Sequence, residues 1–409
     1  MAKLKILQIV PSISLVYGGP SQMILGLSTA LAAEGIEVTL LTTNSNGDAG
    51  QPPLDVPLNQ PIHQNGYQII YFRCSPFRRY KFSLGLLRWL ANHAQEYDLA
   101  HIHALFSPVT TAAATVARSK DLPYILRPLG TLDPADLRKK RQLKRIYGNL
   151  LEKPNLAGSS AVHFTSEQEA KISERYGVTT NDLVIPLGVK LSPSSPELGT
   201  ARCNWDIPED KPILLYMSRI DPKKGLDLLF PALETLINQG IDCHFVLAGA
   251  NPQEPDYQQK INQQIQNSIL SKHSTITGFV TGEMKQALLQ DADVFVLPSY
   301  YENFGIAVAE ALVTGTPVVI SDQVHIWQDV KNADAGWISR CEVENLTETL
   351  ALALQDASVR QEKGKNAQKL ALAKYSWQAI AQQMITAYES LITGSQKSEI
   401  RSQKSGKRI

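Results

Sequence analysis

Short apolar runs alternate with segments of helical periodicity along most of the chain. In the first half, the runs that predict buried strands are 4–10, 37–42, 68–72, 99–103, 124–126, 161–164 and 183–185. In the second half they are 213–217, 244–248, 275–277, 294–297, 317–320 and 336–338. Because many of these runs are nearly continuous in Val, Ile and Leu, they indicate parallel strands that helices cover on both faces. The pattern therefore predicts an α/β fold.

The alternation occurs twice, which at 409 residues predicts two doubly wound Rossmann-like domains. A Ser- and Pro-rich linker within 190–198 predicts the boundary between them. The N-terminal domain is then 1–190 and the C-terminal domain 191–375. Helical spacing predicts one last helix at 376–394, and the composition of 395–409 predicts a disordered basic tail. A polar, Gly- and Pro-rich stretch at 42–62 is interpreted as a loop. Since ligands bind at the carboxyl ends of strands in open α/β sheets, we expect the two domains to face a cleft.

Composition narrows the range of functions. The formal net charge is +1 with 19% charged residues, so nothing indicates a nucleic acid partner. The four cysteines are scattered without a CxxC pair, which favours a reduced cytoplasmic enzyme over a disulfide framework or a zinc site. No run approaches the roughly 18 apolar residues that cross a bilayer. We expect a cytoplasmic protein, with a peripheral position on the inner face of the plasma membrane as the alternative.

The segment 297–320 contains two acids beside a predicted helix start. A strand ends at Pro298, a polar loop follows, and a helix begins near Phe304 and Gly305. The amides and partial positive charge of a helix start suit a diphosphate. The carboxylates of Glu302 and Glu310 suit vicinal hydroxyls, which predicts one contact to a sugar and one to a ribose. The alternative is that both are solvated charges, but the apolar residues around Glu310 predict burial and therefore a partner.

Basic residues follow the predicted strand 213–217. Arg219 offers a planar fork to phosphate oxygens and Lys224 a point charge, so both could neutralise a leaving diphosphate. The alternative is an ordinary solvated loop. Gly249, after the strand 244–248, predicts a turn where a ribose or base could lie; alone it is a weak signal.

In the first half, His101 and His103 alternate along the strand 99–103, so their side chains share a face. Three interpretations stay open: at least one lines the cleft near the acceptor, both pack in the core, or they bind a metal for which no third ligand is evident. Arg127 ends the next strand, where it either faces the same cleft or forms a structural ion pair.

Two charged clusters have competing interpretations. Asp291 and Asp293 resemble an acidic pair that holds a divalent ion, but they lie at the entrance of a strand, which favours a structural role and no metal. Six of the eight residues 138–145 are Lys or Arg. This run is either a solvated helix or a basic face for anionic lipid or a lipid-diphosphate acceptor.

Jointly these segments resemble the glycosyl transferases group 1, the fourth family of retaining glycosyltransferases, which has the GT-B fold. Glu302 and Glu310 match the family's Glu-x7-Glu signature. The other matching segments of the second half are 218–219, 224–225, 249, 278–280, 292–299, 302–305, 310–311 and 315–319. In the first half, 17–20, 98–103 and 127–130 look like family segments. The resemblance covers residues 3–392.

The resemblance implies an N-terminal domain on the acceptor side and a second domain that holds a nucleotide-diphosphate sugar, with the last helix crossing back to the first domain. The product would be a glycan or a lipid-linked sugar, formed with retention of configuration, in cell-surface polysaccharide or glycolipid synthesis. No cofactor or metal is expected.

The resemblance also implies residue roles. Arg219 and Lys224 would contact the donor diphosphate, and Glu310 the ribose. Glu302 and the backbone around Asn303, Phe304 and Gly305 would contact the transferred sugar. Gly18 and Gly19 would close on the phosphates. We further assign His103 to the reaction and Arg127 and Gly249 to ligand binding.

The sequence departs from the family pattern at two places. The run at 187–190 is Leu-Gly-Val-Lys where the family usually has Asn-Gly-Val-Asp, and Arg127 stands where members commonly carry a His. A nucleotide-sugar epimerase on the same fold is the main alternative, although it would not keep Glu-x7-Glu together with Arg219 and Lys224. A non-catalytic sugar-nucleotide-binding protein would be expected to lose one of these contacts. A dinucleotide oxidoreductase is disfavoured because no G-x-G-x-x-G follows the first strand.

Overall fold

A computed structural model of the chain describes residues 3–47, 51–75, 81–138, 141–190, 196–252 and 254–405. The chain divides into two compact units. The first comprises Met1–Gly188 with Trp377–Ile409, and the second comprises Val189–Ser376. Among the described residues, none of the helices has the length and apolar character that a membrane-spanning segment requires.

The first unit is built on one sheet with helices on both faces. The described strands are β1 (Lys5–Ile9), β2 (Glu37–Thr43), β3 (Pro61–Gln64), β4 (Tyr67–Phe72), β5 (Leu99–His103), β6 (Tyr124–Arg127), β7 (Ala161–Phe164) and β8 (Asp182–Val184). The helices that precede the second unit are α1 (Gly19–Ala33), α2 (Leu84–His93), α3 (Pro108–Ser119), α4 (Pro134–Arg138), α5 (Arg141–Tyr147), α6 (Lys153–Ala157) and α7 (Glu167–Ile172). A π-helical turn, Gly148–Glu152, joins α5 to α6.

The strand order in this sheet is β3-β4-β2-β1-β5-β6-β7-β8. All neighbours are parallel except β3, which runs antiparallel to β4 at the edge. The interpretation of 42–62 as loop was wrong at its ends, because β2 continues to Thr43 and β3 begins at Pro61. Strand β3 is short, mostly exposed and starts with proline, so it carries no apolar pattern that could predict a strand.

Two apolar cores lie against the two faces of this sheet. Ile6 belongs to one core and its neighbour Leu7 to the other, as the alternation of a strand requires. Helices α2 and α3 contribute to the core of Leu7, and α1 to the core of Ile6. Burial on both faces explains why these strands are apolar with little alternation.

The second unit contains a fully parallel sheet in the order β11-β10-β9-β12-β13-β14. Its described strands are β9 (Ile213–Met217), β10 (His244–Ala248), β11 (Ser274–Gly278), β12 (Val294–Leu297), β13 (Val318–Ser321) and β14 (Gly336–Ser339). Its described helices are α8 (Thr200–Asn204), α9 (Leu226–Asn238), α10 (Pro255–Gln266), α11 (Gly282–Asp291), α12 (Ile306–Thr314), α13 (Trp327–Asn332), α14 (Val343–Gln355) and α15 (Ala357–Lys374).

The last helix, α16 (Trp377–Ser405), belongs to the first unit. The Trp377 ring lies against two glycines, since a Cβ at Gly26 or Gly188 would approach it to 2.4 or 2.2 Å. Met384 and Tyr388 are fully buried in the core of Ile6. The crossing helix is therefore confirmed. It extends to Ser405, so the basic segment predicted to be disordered is helical up to that residue, and 406–409 lie outside the described part.

Candidate active site

The carboxyl ends of β9 and β12 lie side by side where the second sheet reverses its order. From β9 the chain adds β10 and β11 on one side and then returns to place β12 on the other side of β9. The loops leaving β9 and β12 therefore start side by side at one edge of the sheet. This is the position at which open α/β sheets bind ligands.

The two loops approach each other through a glycine. Gly225 has a φ of +75°, and a Cβ there would lie 2.0 Å from the carbonyl oxygen of Pro298 at the end of β12. Both the left-handed backbone and this close approach require the absence of a side chain. The preceding residue, Lys224, ends the 3-10 turn Pro222–Lys224 and is thereby held beside the loop after β12.

Lys224 and Glu302 form an ion pair at this point. The ammonium of Lys224 contacts Oε2 of Glu302, and the lysine is only 8% exposed. The backbone of Glu302 is fixed separately, because its N–H donates to the carbonyl of Gln323 (3.1 Å) and its carbonyl accepts from the N–H of His325 (3.0 Å). The cation that we predict to bind a diphosphate and the carboxylate that we predict to bind a sugar are therefore neighbours. The ammonium has three donors, so it can bind a phosphate oxygen while still paired.

Arg219 lies on the same loop with half of its side chain exposed. Its Nε is 3.9 Å from Oδ2 of Asp221, an exposed and long contact that contributes little stability. The guanidinium is therefore free to reorient toward an anionic ligand.

Helix α12 begins directly after the loop that carries Glu302. Gly305 is its N-cap with a φ of +80°, and Gly315 closes it with a φ of +83°, as the sequence predicts. Phe304 is buried, with its ring edge-on to Tyr375 at 5.3 Å between centroids. Asn303 accepts a hydrogen bond from the hydroxyl of Tyr301. The first amides of α12 lack partners within the helix and carry its positive dipole end.

Glu310 lies within α12. The sequence predicts that its buried carboxylate has a partner but does not show which residue that partner is. The Nζ of Lys285, on α11, lies 2.6 Å from Oε1 of Glu310. The two side chains are 29% and 20% exposed, so the pair is mostly shielded from solvent. Sequence reasoning missed Lys285 because nothing in the polar pattern of 283–290 distinguishes it from a surface lysine.

Gly249 has a structural reason to be glycine. A Cβ there would lie 1.9 Å from the carbonyl oxygen of Ser218, so the backbones after β9 and β10 are in contact. The N–H of Gly249 donates to the carbonyl of Gly278, the last residue of β11 (2.8 Å). The three strand ends are held together here, which is a role that the sequence analysis did not consider.

In the first unit, His103 and His101 are fully buried and their rings stack with centroids 4.3 Å apart. Nε2 of His103 shares a hydrogen bond with Oε1 of Gln8 (2.7 Å), and Nδ1 of His101 with the hydroxyl of Tyr388 (2.9 Å). Burial holds the pKa of both imidazoles well below the ordinary value, with neighbouring cationic groups adding to the effect. Both side chains thus lie in the interior, and Nδ1 of His103 has no hydrogen-bond partner among the described residues.

A third histidine completes this buried network. Nδ1 of His163 lies 3.2 Å from Nε2 of His101, and its Nε2 hydrogen-bonds the carbonyl of Ile185 (2.8 Å). Burial, together with the positive charge of Arg127, lowers the pKa of His163 to about 3. Sequence reasoning missed His163, Gln8 and Tyr388, although each lies on an element predicted to be buried.

Arg127 is buried to 2% exposure and pairs with His103 in the ladder between β5 and β6. Its Nη1 donates to Sδ of Met23, while Nε has no hydrogen-bond partner in the part of the chain that the structure describes. Burial lowers its pKa to about 10 despite the favourable charge of Glu169. No ion pair of Arg127 occurs among the described side chains, so the structural ion-pair interpretation is not supported.

Gly18 and Gly19 mark the start of α1. Gly18 has a φ of +69° and is the N-cap, and Gly19 is the first helical residue. A Cβ at Gly18 would meet nothing within 4 Å, so the backbone there is open.

The acidic pair before β12 has structural partners. Asp291 accepts from the N–H groups of Gly199 (2.7 Å) and Ala201 (2.8 Å) at the start of α8, and Asp293 accepts from the N–H of Ile213 (2.8 Å). Both carboxylates are thus hydrogen-bonded to backbone amides of the second unit, as a structural role requires. Within the described ranges, no group of three or more His, Cys, Asp or Glu side chains is placed to hold a metal ion.

Two family models match this chain over most of its length. The model "Glycosyl transferase 4-like domain" matches residues 18–188, and "Glycosyl transferases group 1" matches residues 200–370. The phosphatidyl-myo-inositol mannosyltransferase of Mycobacterium leprae is 24% identical over 413 residues, which cover 95% of this chain and 97% of that protein.

Solved structures of GT-B proteins have the same fold. Sucrose-phosphate synthase from Thermosynechococcus elongatus superimposes with a TM-score of 0.76 at 24% identity, covering 96% of this chain and all of that one. Anabaena Alr3699/HepE, in complex with UDP and glucose, gives a TM-score of 0.69 at 21% identity over 95% of this chain and 100% of that one. The predicted GT-B fold class is thereby confirmed.

Proposed function

This chain belongs to the glycosyl transferases group 1, and we propose that it transfers a sugar from a nucleoside-diphosphate sugar to a hydroxyl of a glycan or lipid-linked acceptor, with retention of anomeric configuration. The observation that carries the proposal is the contact of Lys224 with Glu302 at the reversal point of the second sheet, directly before the start of α12. One position thus combines a cation, a carboxylate and a helix N-terminus, which fits a ligand that has both phosphates and hydroxyls.

Each part of this arrangement takes one part of the donor. Lys224, Arg219 and the first amides of α12 bind the diphosphate. Glu302 and the backbone of 303–305 bind the transferred sugar. Glu310 binds the ribose through the carboxylate oxygen that Lys285 does not contact.

The reaction breaks the bond between the anomeric carbon and the diphosphate, whose oxygen keeps the electron pair. The acceptor hydroxyl oxygen forms the new bond on the same face of the sugar, and its proton passes to the leaving diphosphate. Negative charge grows on the leaving diphosphate as this happens. Preorganised positive groups that meet this charge lower the barrier, and each such contact contributes about 3 kcal/mol. Lys224 is suited to this role because it is mostly removed from water and is held in place by Glu302.

The proposal includes no divalent ion. The protein supplies cationic groups for the diphosphate, while the carboxylates of Asp291 and Asp293 are occupied by backbone amides. Turnover is therefore expected to be unchanged by excess EDTA. Loss of activity with EDTA and its recovery with Mg²⁺ would show that this part of the proposal is wrong.

For the acceptor, the name of the Mycobacterium leprae relative describes transfer of mannose to a phosphatidylinositol, which supports a lipid-linked acceptor here. We therefore propose a role in cell-surface polysaccharide or glycolipid synthesis, in the cytoplasm or at the inner face of the plasma membrane. The Anabaena complex with UDP and glucose makes UDP-sugars the first donors to test.

The test is a panel of UDP-, GDP- and ADP-sugars incubated with the purified chain. Binding is followed by calorimetry and turnover by release of nucleoside diphosphate. We expect one base to bind clearly better than the others and to support release of the diphosphate. Failure of every donor to bind contradicts the proposal. Conversion of the donor sugar without release of nucleoside diphosphate would instead indicate the epimerase, and the anomeric configuration of the product, read by NMR, tests retention.

A further inference from the structure

Helix α5 and the π-helical turn that follows it present a row of apolar side chains to solvent. Leu143 is 64% exposed, Ile146 59% and Leu150 68%, at a spacing of i, i+3 and i+7 that places them on one side of a helix. Leu151, 47% exposed, widens the row. Large apolar side chains that are exposed singly need no explanation, but a contiguous row marks an interaction surface.

The opposite side of this segment is attached to the first unit. The hydroxyl of Tyr147 donates to Oγ1 of Thr111 (2.9 Å), and Oε1 of Glu152 accepts from the hydroxyl of Thr111 (2.7 Å). Tyr176 packs on Gly148, where a Cβ would lie 2.3 Å from its ring. The apolar row is therefore already formed, so a partner that covers it does not have to fold the helix first.

The exposed charge beside the row is positive. The sequence has no acidic residue between Asp136 and Glu152. Asp136 pairs with Lys144 (2.6 Å), and Glu152 is buried. The exposed cations of the described segment are Arg138, Arg141, Arg145 and Lys153. Residues 139 and 140 of the basic run lie outside the described part.

We infer that residues 141–153, the interfacial segment, dock the first unit on an anionic lipid bilayer. Positive side chains complement the negative headgroups, and the apolar row reaches the boundary of the acyl chains. A protein partner is less well matched, because protein interfaces concentrate aromatic anchors whereas this row consists of Leu and Ile. The inference concerns a surface of the first unit and does not depend on the donor site.

The first experiment is sedimentation of the full chain with vesicles. Vesicles of phosphatidylcholine containing phosphatidylglycerol are compared with vesicles of phosphatidylcholine alone, at low and high salt. The chain is expected to pellet with the anionic vesicles and to be released partly by salt, since salt screens the charges of the headgroups. No pelleting with anionic vesicles at low salt overturns the inference.

Apolar contacts are tested with a triple variant, Leu143→Ser with Ile146→Ser and Leu150→Ser. Its partition onto anionic vesicles is expected to fall at least about tenfold, because three apolar side chains no longer leave water. The matched control is Leu352→Ser with Val359→Ser and Leu372→Ser, three exposed apolar residues of the second unit. This control is expected to bind as the unmodified chain does, and an equal loss in both variants contradicts the assignment.

The contribution of charge is tested with a double variant, Arg141→Gln with Arg145→Gln. The control is a second double variant, Arg88→Gln with Arg340→Gln, which removes two exposed cations elsewhere on the chain. The first pair is expected to weaken binding roughly twentyfold at low salt, and the control pair clearly less. If both pairs weaken binding equally, only the net charge matters and the interfacial segment is not the docking surface.

Two further readouts separate the alternatives. Light scattering of the triple Ser variant detects a change of oligomeric mass. A change there, with vesicle binding unaffected, would assign the row to a protein contact and overturn the inference. Thermal unfolding and binding of the nucleoside diphosphate, measured on the same variants, are expected to stay normal. A loss of vesicle binding is thereby distinguished from a failure of the proposed transferase function.

Discussion

The ammonium of Lys285 lies 2.6 Å from a carboxylate oxygen of Glu310, which joins helix α11 to helix α12. The contact leaves the second oxygen of Glu310 able to accept from a ribose hydroxyl. Because a glutamate has three rotatable bonds, an ion pair that fixes one oxygen also limits the positions of the other. We therefore regard Lys285 as a positioning residue that acts through Glu310.

Replacement of Lys285 by Met is expected to weaken binding of the nucleoside diphosphate about tenfold, since a charge-assisted hydrogen bond contributes roughly 1.5–3 kcal/mol. Calorimetric titration measures this. Glu310→Ala is expected to weaken binding more. In the Glu310→Ala background, Lys285→Met should have no further effect, because the two substitutions remove one interaction.

The control for this cycle is Lys211→Met, which removes a different lysine–carboxylate pair of the second unit. Nζ of Lys211 lies 2.9 Å from Oδ2 of Asp242. Lys211 precedes β9 and lies at the opposite end of the strand from the site. Its replacement should leave nucleotide affinity unchanged. Additive effects of Lys285→Met and Glu310→Ala would contradict the positioning role.

Lys224→Ala is expected to lower kcat by about a hundredfold or more, because it removes a cation from the leaving diphosphate. Glu302→Ala should also lower kcat strongly, since it removes both a sugar contact and the partner of Lys224. The neighbouring Lys223 is exposed, so Lys223→Ala is the matched control and should retain most activity. Near-normal rates of Lys224→Ala and Glu302→Ala in folded protein would show that the site lies elsewhere.

The strands and the candidate donor-binding residues could be identified from sequence because local signals coincide there. Strands β9, β10 and β12 have the predicted bounds, since each apolar run is followed at once by a loop with Gly, Pro or charged residues. The sequence predicts that Lys224 and Glu302 belong to one site, because ligands bind at the strand ends. It does not predict that the two side chains contact each other. Which side chains touch depends on the strand order.

Other features depend on contacts that are distant in sequence. Lys285 acquires its role only because α11 packs beside α12, and Gly249 is restricted by the carbonyl of Ser218, 31 residues earlier. The interfacial segment was predictable as basic, but the exposure of Leu143 and Ile146 was not. Periodicity identifies an apolar face without revealing whether the fold covers it.

Substitution of two glycines separates backbone strain from close packing. Gly225 and Gly240 have φ angles of +75° and +77°, but only Gly225 would bring a Cβ against a backbone atom, 2.0 Å from the carbonyl oxygen of Pro298. Gly240→Ala is expected to cost about 1–2 kcal/mol, the price of a left-handed alanine. Gly225→Ala is expected to cost clearly more, because the loops after β9 and β12 must separate.

Urea unfolding of the two glycine variants measures this difference. Gly225→Ala should also lose activity in conditions where it is still folded, since Lys224 moves with the loop. Equal stability of Gly225→Ala and Gly240→Ala would mean that the contact with Pro298 relaxes easily. This would contradict the prediction that the two loops are held rigidly against each other.

The buried histidines predict that the first unit loses stability in mild acid. His163 has a pKa lowered to about 3, and His101 and His103 are lowered in the same direction. Unfolding returns each imidazole to its ordinary pKa near 6.5. Below pH 6.5 the unfolded chain therefore binds more protons than the folded one. The stabilisation is complete above pH 6.5 and is lost as the pH falls from 6.5 toward 3.

His163→Gln tests this dependence, because glutamine keeps a donor for the carbonyl of Ile185 but does not titrate. The variant starts less stable at pH 7, since it loses the contact with His101. Its free energy of unfolding should then fall less steeply between pH 6 and pH 4 than that of the unmodified chain. The two slopes should differ by about 1.4 kcal/mol per pH unit, which is the contribution of one proton. His63→Gln, at an exposed position of the same unit, is the matched control for the substitution itself. Parallel curves for His163→Gln and the unmodified chain would show that His163 is protonated in the folded state.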